Sequence, residues 1–448
     1  MPPANTGATA ARRAAVYTLE SCRNGRIFEQ ALDEAARGLD ERDRRLAHEL
    51  AAGVLRRQGA LDALLTPLVS RDWEAVPLPL RDILRLGAYQ LTSLDRVPAH
   101  AAVGTSVTLA RESSGARAAG FVNAVLRRLS AQALARADDA GEPPADLAGS
   151  SPTGTATELA ARFSHPLWLV ERWVTHYGFE ETVALLEWND TRPRLAVQPA
   201  RDSTTELSEL WQRKGLTVES APYGNGLYVD IRRPDQLPRF QQGGFLVQDH
   251  AQSMVTAFAG FERGTIYDAC AAPGGKTLAL GRGGARVIAG DRNRLRVRRV
   301  RQNIGRAGSG REFPLVADAL QPPIRAVDAV LLDAPCLGTG TFARHPDARW
   351  RVTADALKEL VERQEAMLEA LALLVKPGGM LVYATCSLEP EENECQVDAF
   401  LNRHPEFHRE ANLEIPPELV TPRGDLAILP HRHQMDGAFA ARLRRSDR

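Results

Sequence analysis

From about residue 10 to 135 the apolar positions recur at helical spacing with almost no alternating runs. The periodicity predicts helices over Arg12–Cys22, Ile27–Ala36, Asp40–Gln58, Leu61–Leu68, Leu78–Leu94, Ala99–Glu112 and Ala116–Ala135, an all-α bundle. A stretch rich in Gly, Pro, Ser, Thr and Asp follows (138–157) and reads as a disordered linker. From Phe163 the pattern is mixed. Helices are expected over Pro166–Tyr177, Phe179–Asn189 and Thr204–Lys214, with strands over Arg194–Gln198, Leu216–Glu219 and Gly226–Ile231, forming a small α+β unit. From about Phe245, strand alternates with helix. The expected strands are Thr265–Tyr267, Arg286–Ala289, Glu312–Ala317, Ala329–Leu332 and Gly379–Thr385, with a late one near Gly437–Leu443, so a doubly wound, mostly parallel sheet is expected.

The fold class is therefore multidomain, with a helical bundle over 1–137, a linker over 138–160, a substrate-positioning α+β subdomain over 161–243 and a Rossmann-like α/β domain over 244–448. The 448 residues give ample length for such cores. Formal charge is zero, from 56 basic and 56 acidic side chains, so any nucleic-acid signal must be local. In residues 1–136, 19 arginines face 14 acids, a mild surplus that a solvated helical surface explains equally well. The five cysteines are odd in number and lack CxxC spacing, which argues against a disulfide scaffold or a zinc site. No signal-peptide pattern and no long apolar run occurs, so a reduced cytoplasmic location is expected.

Candidate chemistry gathers at strand ends. Cys336, in Asp333-Ala-Pro-Cys-Leu-Gly-Thr-Gly340, and Cys386, in Ala384-Thr-Cys-Ser, each follow a short apolar run, so both thiols should emerge at carboxyl ends of one sheet. A thiolate there suits attack on an electron-poor carbon such as C6 of a pyrimidine. The loop Asp268-Ala-Cys270-Ala271-Ala272-Pro273-Gly274-Gly275-Lys276-Thr277 lets backbone approach a ligand closely. It is not a phosphate-binding P-loop, because Cys270 stands where that motif needs glycine, and the dinucleotide spacing fails as well. A bulky, non-phosphorylated adenosine ligand remains, and S-adenosylmethionine fits. Asp291 closes the next strand at the place of a ribose-binding acid, and Asp318 follows the third strand, where it could accept from adenine. A single strand-end acid could be a helix cap, whereas Asp268, Asp291 and Asp318 in succession are poorly explained as caps alone.

The helix after Asp291 sets Val297, Val300 and Ile304 as a buried stripe and leaves Arg294, Arg298 and Arg301 as an exposed basic row suited to phosphates. Arg344, His345 and Arg349, after the Cys336 loop, are expected to hold flanking nucleotides. Glu391, Glu392, Asn393 and Glu394 read as capping and solvating residues. His431 and His433 alternate without further ligands, so no metal is expected.

Cys-Ala-Ala-Pro-Gly-Gly-Lys-Thr, Asp-Ala-Pro-Cys-x-Gly-Thr-Gly and Ala-Thr-Cys-Ser with a following Glu-x-Asn-Glu resemble the RNA cytosine-C5 methyltransferases. Val97-Pro-Ala-His-Ala-Ala102 and Phe121-Val-Asn-Ala-Val-Leu-Arg127 are similar to a NusB-like RNA-binding domain, and the pairing resembles the Sun/RsmB family of bacterial small-subunit rRNA methyltransferases. The likeness extends to Gly244-Phe-Leu-Val-Gln-Asp249 and Met435-Asp-Gly437. Two departures stand out: Arg194–Arg201 lacks the family's Arg-Val-Asn, and the segment after Asp291 is about two residues short.

The resemblance implies S-adenosyl-L-methionine as cofactor, held by Cys270 to Lys276, Asp291, Asp318 and Asp333, and small-subunit rRNA as partner. A monomer without metal or membrane is expected. The resemblance also implies Cys386 as nucleophile toward C6, Cys336 as the thiol assisting release, Asp333 on the cytosine edge and Lys276 beside cofactor and base. The residues by themselves do not rank the two thiols. A tRNA-directed enzyme of the same chemistry, or a non-catalytic RNA-binding protein built on residues 1–136, are the alternatives.

Overall fold

The computed structural model describes residues 7–70, 72–140, 154–231, 233–261 and 263–447. They form two compact units. One holds the chain up to Asp190 together with His345–Arg351; the other holds Thr191–Arg344 and the chain from Val352.

The first unit is helical, as its periodicity requires. Helices span Gly7–Arg23, Phe28–Ala35, Glu41–Leu65, Leu78–Ser93 and Ala99–Ala140. The third is kinked at Arg57 and the last breaks at Gly115, whose φ of +84° a side chain rarely adopts; this is why the sequence reads each as two helices. Leu50, Leu61, Leu65, Leu84, Leu86, Val122 and Leu126 are among the fully buried side chains of its core. Three further helices, Ala156–Arg162, Leu167–Tyr177 and Phe179–Asp190, belong to this unit and bury Leu159, Leu169, Trp173, Leu185 and Leu186. The expected linker over 138–160 is therefore partly helical: Asp138–Ala140 end one helix, and Thr155 caps the next by accepting from Glu158 N at 3.2 Å. Its middle, 141–153, lies outside the described residues. Residues 161–190, which open the expected substrate-positioning subdomain, pack with the helical unit, where their apolar stripes are buried.

The second unit contains two sheets. Strands β1 (Leu195–Pro199), β2 (Val218–Ser220), β3 (Leu227–Val229) and β4 (Phe245–Val247) form an antiparallel sheet in the order β2-β3-β1-β4. β4 lies beyond the expected boundary at 243 because Val197, Gln198 and Pro199 pair with Val247, Leu246 and Phe245. The larger sheet takes β5 (Thr265–Asp268), β6 (Arg286–Asp291), β7 (Glu312–Val316), β8 (Val327–Asp333), β9 (Val375–Thr385), β10 (Phe407–Arg409), β11 (Leu426–Ile428) and β12 (Ala438–Arg445). Its order is β10-β12-β9-β8-β5-β6-β7, with β11 pairing β12. β9, β8, β5, β6 and β7 run parallel; β12 is antiparallel to β9, β10 and β11. The short β4, β10 and β11 are strands that the sequence pattern misses, three residues being too few to show an alternation.

From β5 the chain winds outward through β6 and β7, then returns to β8 on the other side of β5. That reversal opens a crevice at the carboxyl ends of β5 and β8, where open α/β sheets bind ligands. Fully buried Tyr267, Val330, Leu332, Leu381 and Tyr383 pack one face of the central strands; Ile266, Val287, Leu331 and Val382 pack the other.

Candidate active site

At the end of β5 the chain turns through Ala269–Gly274 into the helix Gly275–Arg282. Gly274, at φ +107°, makes the turn. A Cβ on Gly275 would meet the end of the Gln248 side chain at 2.9 Å, so glycine lets Gln248 lie directly against the loop. Asp268 does not face the crevice. Its carboxylate is buried and accepts from Thr277 Oγ1 at 2.6 Å, and burial pushes its pKa up to about 7 despite that bond. Its role is to hold the loop from below, and its other oxygen has no partner.

The helix Arg294–Ala307 holds the loop from the side: Arg296 donates to Ala272 O at 3.1 Å and Asn303 to Pro273 O at 3.0 Å. Asp291, at the end of β6, accepts from Asn293 N at 2.8 Å and lies 3.3 Å from Arg296 Nε. The helix cap proper is Asn293, so the Asp291 carboxylate is not used as the cap of that helix; Asp318, two residues beyond β7, accepts from Leu320 N at 3.0 Å. Asp333, Asp268 and Asp291 all bear on Cys270, whose thiol burial and these charges push up to about 12. That thiol stays protonated and unsuited to nucleophilic attack.

β8 ends in Asp333 and β9 in Thr385, adjacent parallel strands whose register sets Asp333 opposite Ala384. Cys336 and Cys386 thus converge, their sulfurs 3.4 Å apart with both thiols free. The hydrogen bond to Cys386, then burial, then nearby negative charge hold Cys336 well above the ordinary thiol range. Lys276 reaches across from the glycine loop to Asp333 at 2.8 Å, and it also donates to Gln252. Gln252 carries no motif of its own in the sequence, whereas Gln248 lies in the Gly244–Asp249 stretch; position within the fold brings both here.

The two cysteine loops are knitted together. Gly340 N donates to Cys386 O at 3.0 Å, Leu388 N to Thr339 Oγ1 at 2.8 Å, and Gly437 N to Gly340 O at 2.7 Å. A Cβ on Gly340 would sit 2.7 Å from Gly437 Cα, closer than any real contact, so both positions require glycine. Glu392 and Asn393 are not surface residues as their polarity suggests. Glu392 is fully buried and accepts from Leu337 N at 3.0 Å; Asn393 bonds Thr385 Oγ1 at 2.5 Å and Ser387 O at 2.9 Å.

The expected nucleotide contacts divide. Arg294, Arg298 and Arg301 are exposed with no ion pair among the described residues, while Val297 and Val300 are buried beneath them. Arg344 is instead committed within its own unit, to Asp249 at 2.7 Å and Asp436 at 3.0 Å. His345 and Arg349 fold into the helical unit. There His345 pairs with Glu29 at 3.1 Å, and Arg349 is fully buried against Asn189 O at 2.8 Å and Asp190 at 3.1 Å. Arg349 is thus withdrawn from any nucleotide because the fold surrounds its guanidinium with carbonyl and carboxylate oxygens. Among the described residues no group of three His, Cys, Asp or Glu side chains could hold a metal, and no helix is long and apolar enough to cross a membrane. His433 accepts from Leu429 N at 2.9 Å.

A reversing parallel sheet with an antiparallel strand beside its last parallel one, an open glycine loop and strand-end acids define an S-adenosylmethionine-dependent methyltransferase. Family models match in three places: 16S rRNA methyltransferase RsmB/F over residues 255–444, the NusB family over 9–131, and the RsmF/B-like ferredoxin-like domain over 165–233. The last match runs across the division at Asp190.

The chain is 36% identical over 425 residues to a probable ribosomal RNA small subunit methyltransferase B of Synechocystis, covering 90% of this chain and 92% of that protein. It is 33% identical to ribosomal RNA small subunit methyltransferase B of Vibrio cholerae, covering 94% and 93%. A crystal structure of a protein called PH0851 superposes with a TM-score of 0.79 at 25% identity, covering 97% of this chain and 98% of that one. The chain belongs to the RsmB/F family of 16S rRNA methyltransferases.

Proposed function

We propose that this protein forms 5-methylcytosine in small-subunit rRNA by covalent catalysis from Cys386. The observation that carries the reading is the pair of free thiols 3.4 Å apart beside the Lys276–Asp333 pair. The names of its relatives, which specify small-subunit rRNA, support the substrate.

The residues present suit the cofactor: a glycine loop at the carboxyl end of β5 with only the Gln248 side chain against Gly275, and the Asp291 and Asp318 carboxylates at or just beyond neighbouring strand ends for ribose and adenine. S-adenosylmethionine, when bound, supplies the electrophilic methyl group that C5 takes. C5 of cytosine is too weak a nucleophile alone, and adding the Cys386 sulfur across C6 makes it enamine-like. Asp333, steadied by Lys276, bonds the cytosine edge and stabilises N3 as charge develops. After methylation the C5 proton leaves and the C6–S bond breaks. Cys336 is placed to pass its proton to the departing Cys386 sulfur and, as a thiolate, to take up the proton lost from C5, so protons balance. The basic row Arg294, Arg298 and Arg301 holds RNA phosphates, and the target base must be unstacked to reach the crevice.

The test separates the thiols. Cys336→Ala should accumulate a covalent protein–RNA adduct visible on a denaturing gel, whereas Cys386→Ala should form none and be inactive. The reverse pattern, or no adduct from either, sinks the reading.

A further inference from the structure

One buried carboxylate at the thiol pair has no part in the reaction outlined above. Glu392 lies six residues past Cys386 in a run of polar residues, yet its side chain is fully enclosed. Enclosing a carboxylate is unfavourable unless its oxygens are bonded, and these are. Oε1 accepts from Leu337 N at 3.0 Å and from Gln364 Nε2 at 2.8 Å, and the Ser387 hydroxyl bonds the same carboxylate. Gln364, on the helix Ala354–Ala372, also donates to Pro335 O at 2.9 Å. Tyr383 anchors the Glu392 carbonyl with its hydroxyl at 2.5 Å. Pro335 and Leu337 are the two neighbours of Cys336. The thiol is therefore gripped on both sides by one small network whose centre belongs to the other cysteine's loop.

We propose that Glu392 is a positioning residue of the methyl transfer, fixing Cys336 against Cys386 through Leu337 N and Gln364 so that the departing sulfur meets a thiol still bearing its proton. The proposal rests on the two-thiol reading above. Cys386 and Glu392 supply the negative charge that bears on Cys336, Tyr383 faces it from β9, and Glu389 faces Glu392. Burial raises Glu392 itself, and its bonds to Ser387, Gln364 and Leu337 N draw it back toward the ionised form.

The experiment uses the full chain with small-subunit rRNA transcript and S-adenosylmethionine, following adduct formation and release against pH. Glu392→Ala should slow release tenfold or more and accumulate adduct at Cys386, with cofactor affinity unchanged. Glu392→Gln keeps an oxygen facing Leu337 N and should restore most of the release at neutral pH. Its alkaline limb should move to lower pH, because without the negative neighbour Cys336 gives up its proton sooner as pH rises. A wild-type release rate in the alanine variant, or an unshifted limb in the glutamine variant, overturns the proposal; if the alanine variant fails to fold, the glutamine profile alone decides. An adduct formed by Cys386→Ala would instead bring down the two-thiol reading, whatever the Glu392 variants do.

Discussion

The helix Arg294–Ala307 and the segment Arg344–Arg351 both carry arginine at high density, and the fold treats them in opposite ways. On the helix, Arg294, Arg298 and Arg301 stand in solvent with no ion pair among the described residues, because Val297 and Val300 turn the opposite face inward. The segment has no such stripe. Arg344 lies between two carboxylates, and Arg349 is enclosed by backbone oxygens and Asp190. Arginine count in a sequence therefore says little about nucleic-acid contact. What decides is whether acids and carbonyls elsewhere in the chain are brought within reach of the guanidinium, and no local pattern encodes that.

The sharpest test of this contrast is Arg349→Met, which leaves Asp190 half-buried without its cation; removing one member of a buried pair costs about 3–5 kcal/mol. Urea unfolding of the variant should show that loss, and a change within experimental error would mean that Arg349 is not the structural residue described. Arg344→Gln should have a smaller effect, about 2 kcal/mol, because the side chain is partly exposed and glutamine can still bond one acid. On the proposed function it should also slow turnover, since Asp436 adjoins the Gly437 that bonds the Cys336 loop. The smallest effect on stability is expected for Arg294→Gln, Arg298→Gln and Arg301→Gln combined. Unfolding should be unchanged while RNA affinity at low salt falls about tenfold and the slope of log K against log salt drops by about 2, as three lost phosphate contacts to single-stranded RNA require. Unchanged salt dependence would return that face to mere solvation.

Much of this was legible in the chain, for reasons that vary by element. The helical bundle follows from long periodic segments, and even its breaks at Arg57 and Gly115 fall where the periodicity divides. The glycine loop and the thiol pair were legible because a strand, a sharp turn and a reactive side chain are contiguous in sequence, so local pattern suffices. Glu392 was not, since its polarity pointed to solvent and only the return of β9 beside β8 puts Leu337 N against it. Gln252 was hidden for the same reason, its partner Lys276 being 24 residues away on another helix. His345–Arg351 misled because its fold-mates, Glu29, Arg56 and Asn189, precede it by more than 150 residues.

The contact between Gly340 and Gly437 has a consequence for the order in which the molecule is made. β12 begins at Ala438 and slots between β9 and β10, both already synthesised. A ribosome that has finished every motif of the site, from Asp268 to Asn393, has still not delivered the residue that seats the Cys336 loop. The brace on the Cys336 loop is thus missing from the growing chain until the residue just before β12 emerges, and a product cut short before Gly437 carries both thiols without the backbone bond that sets them.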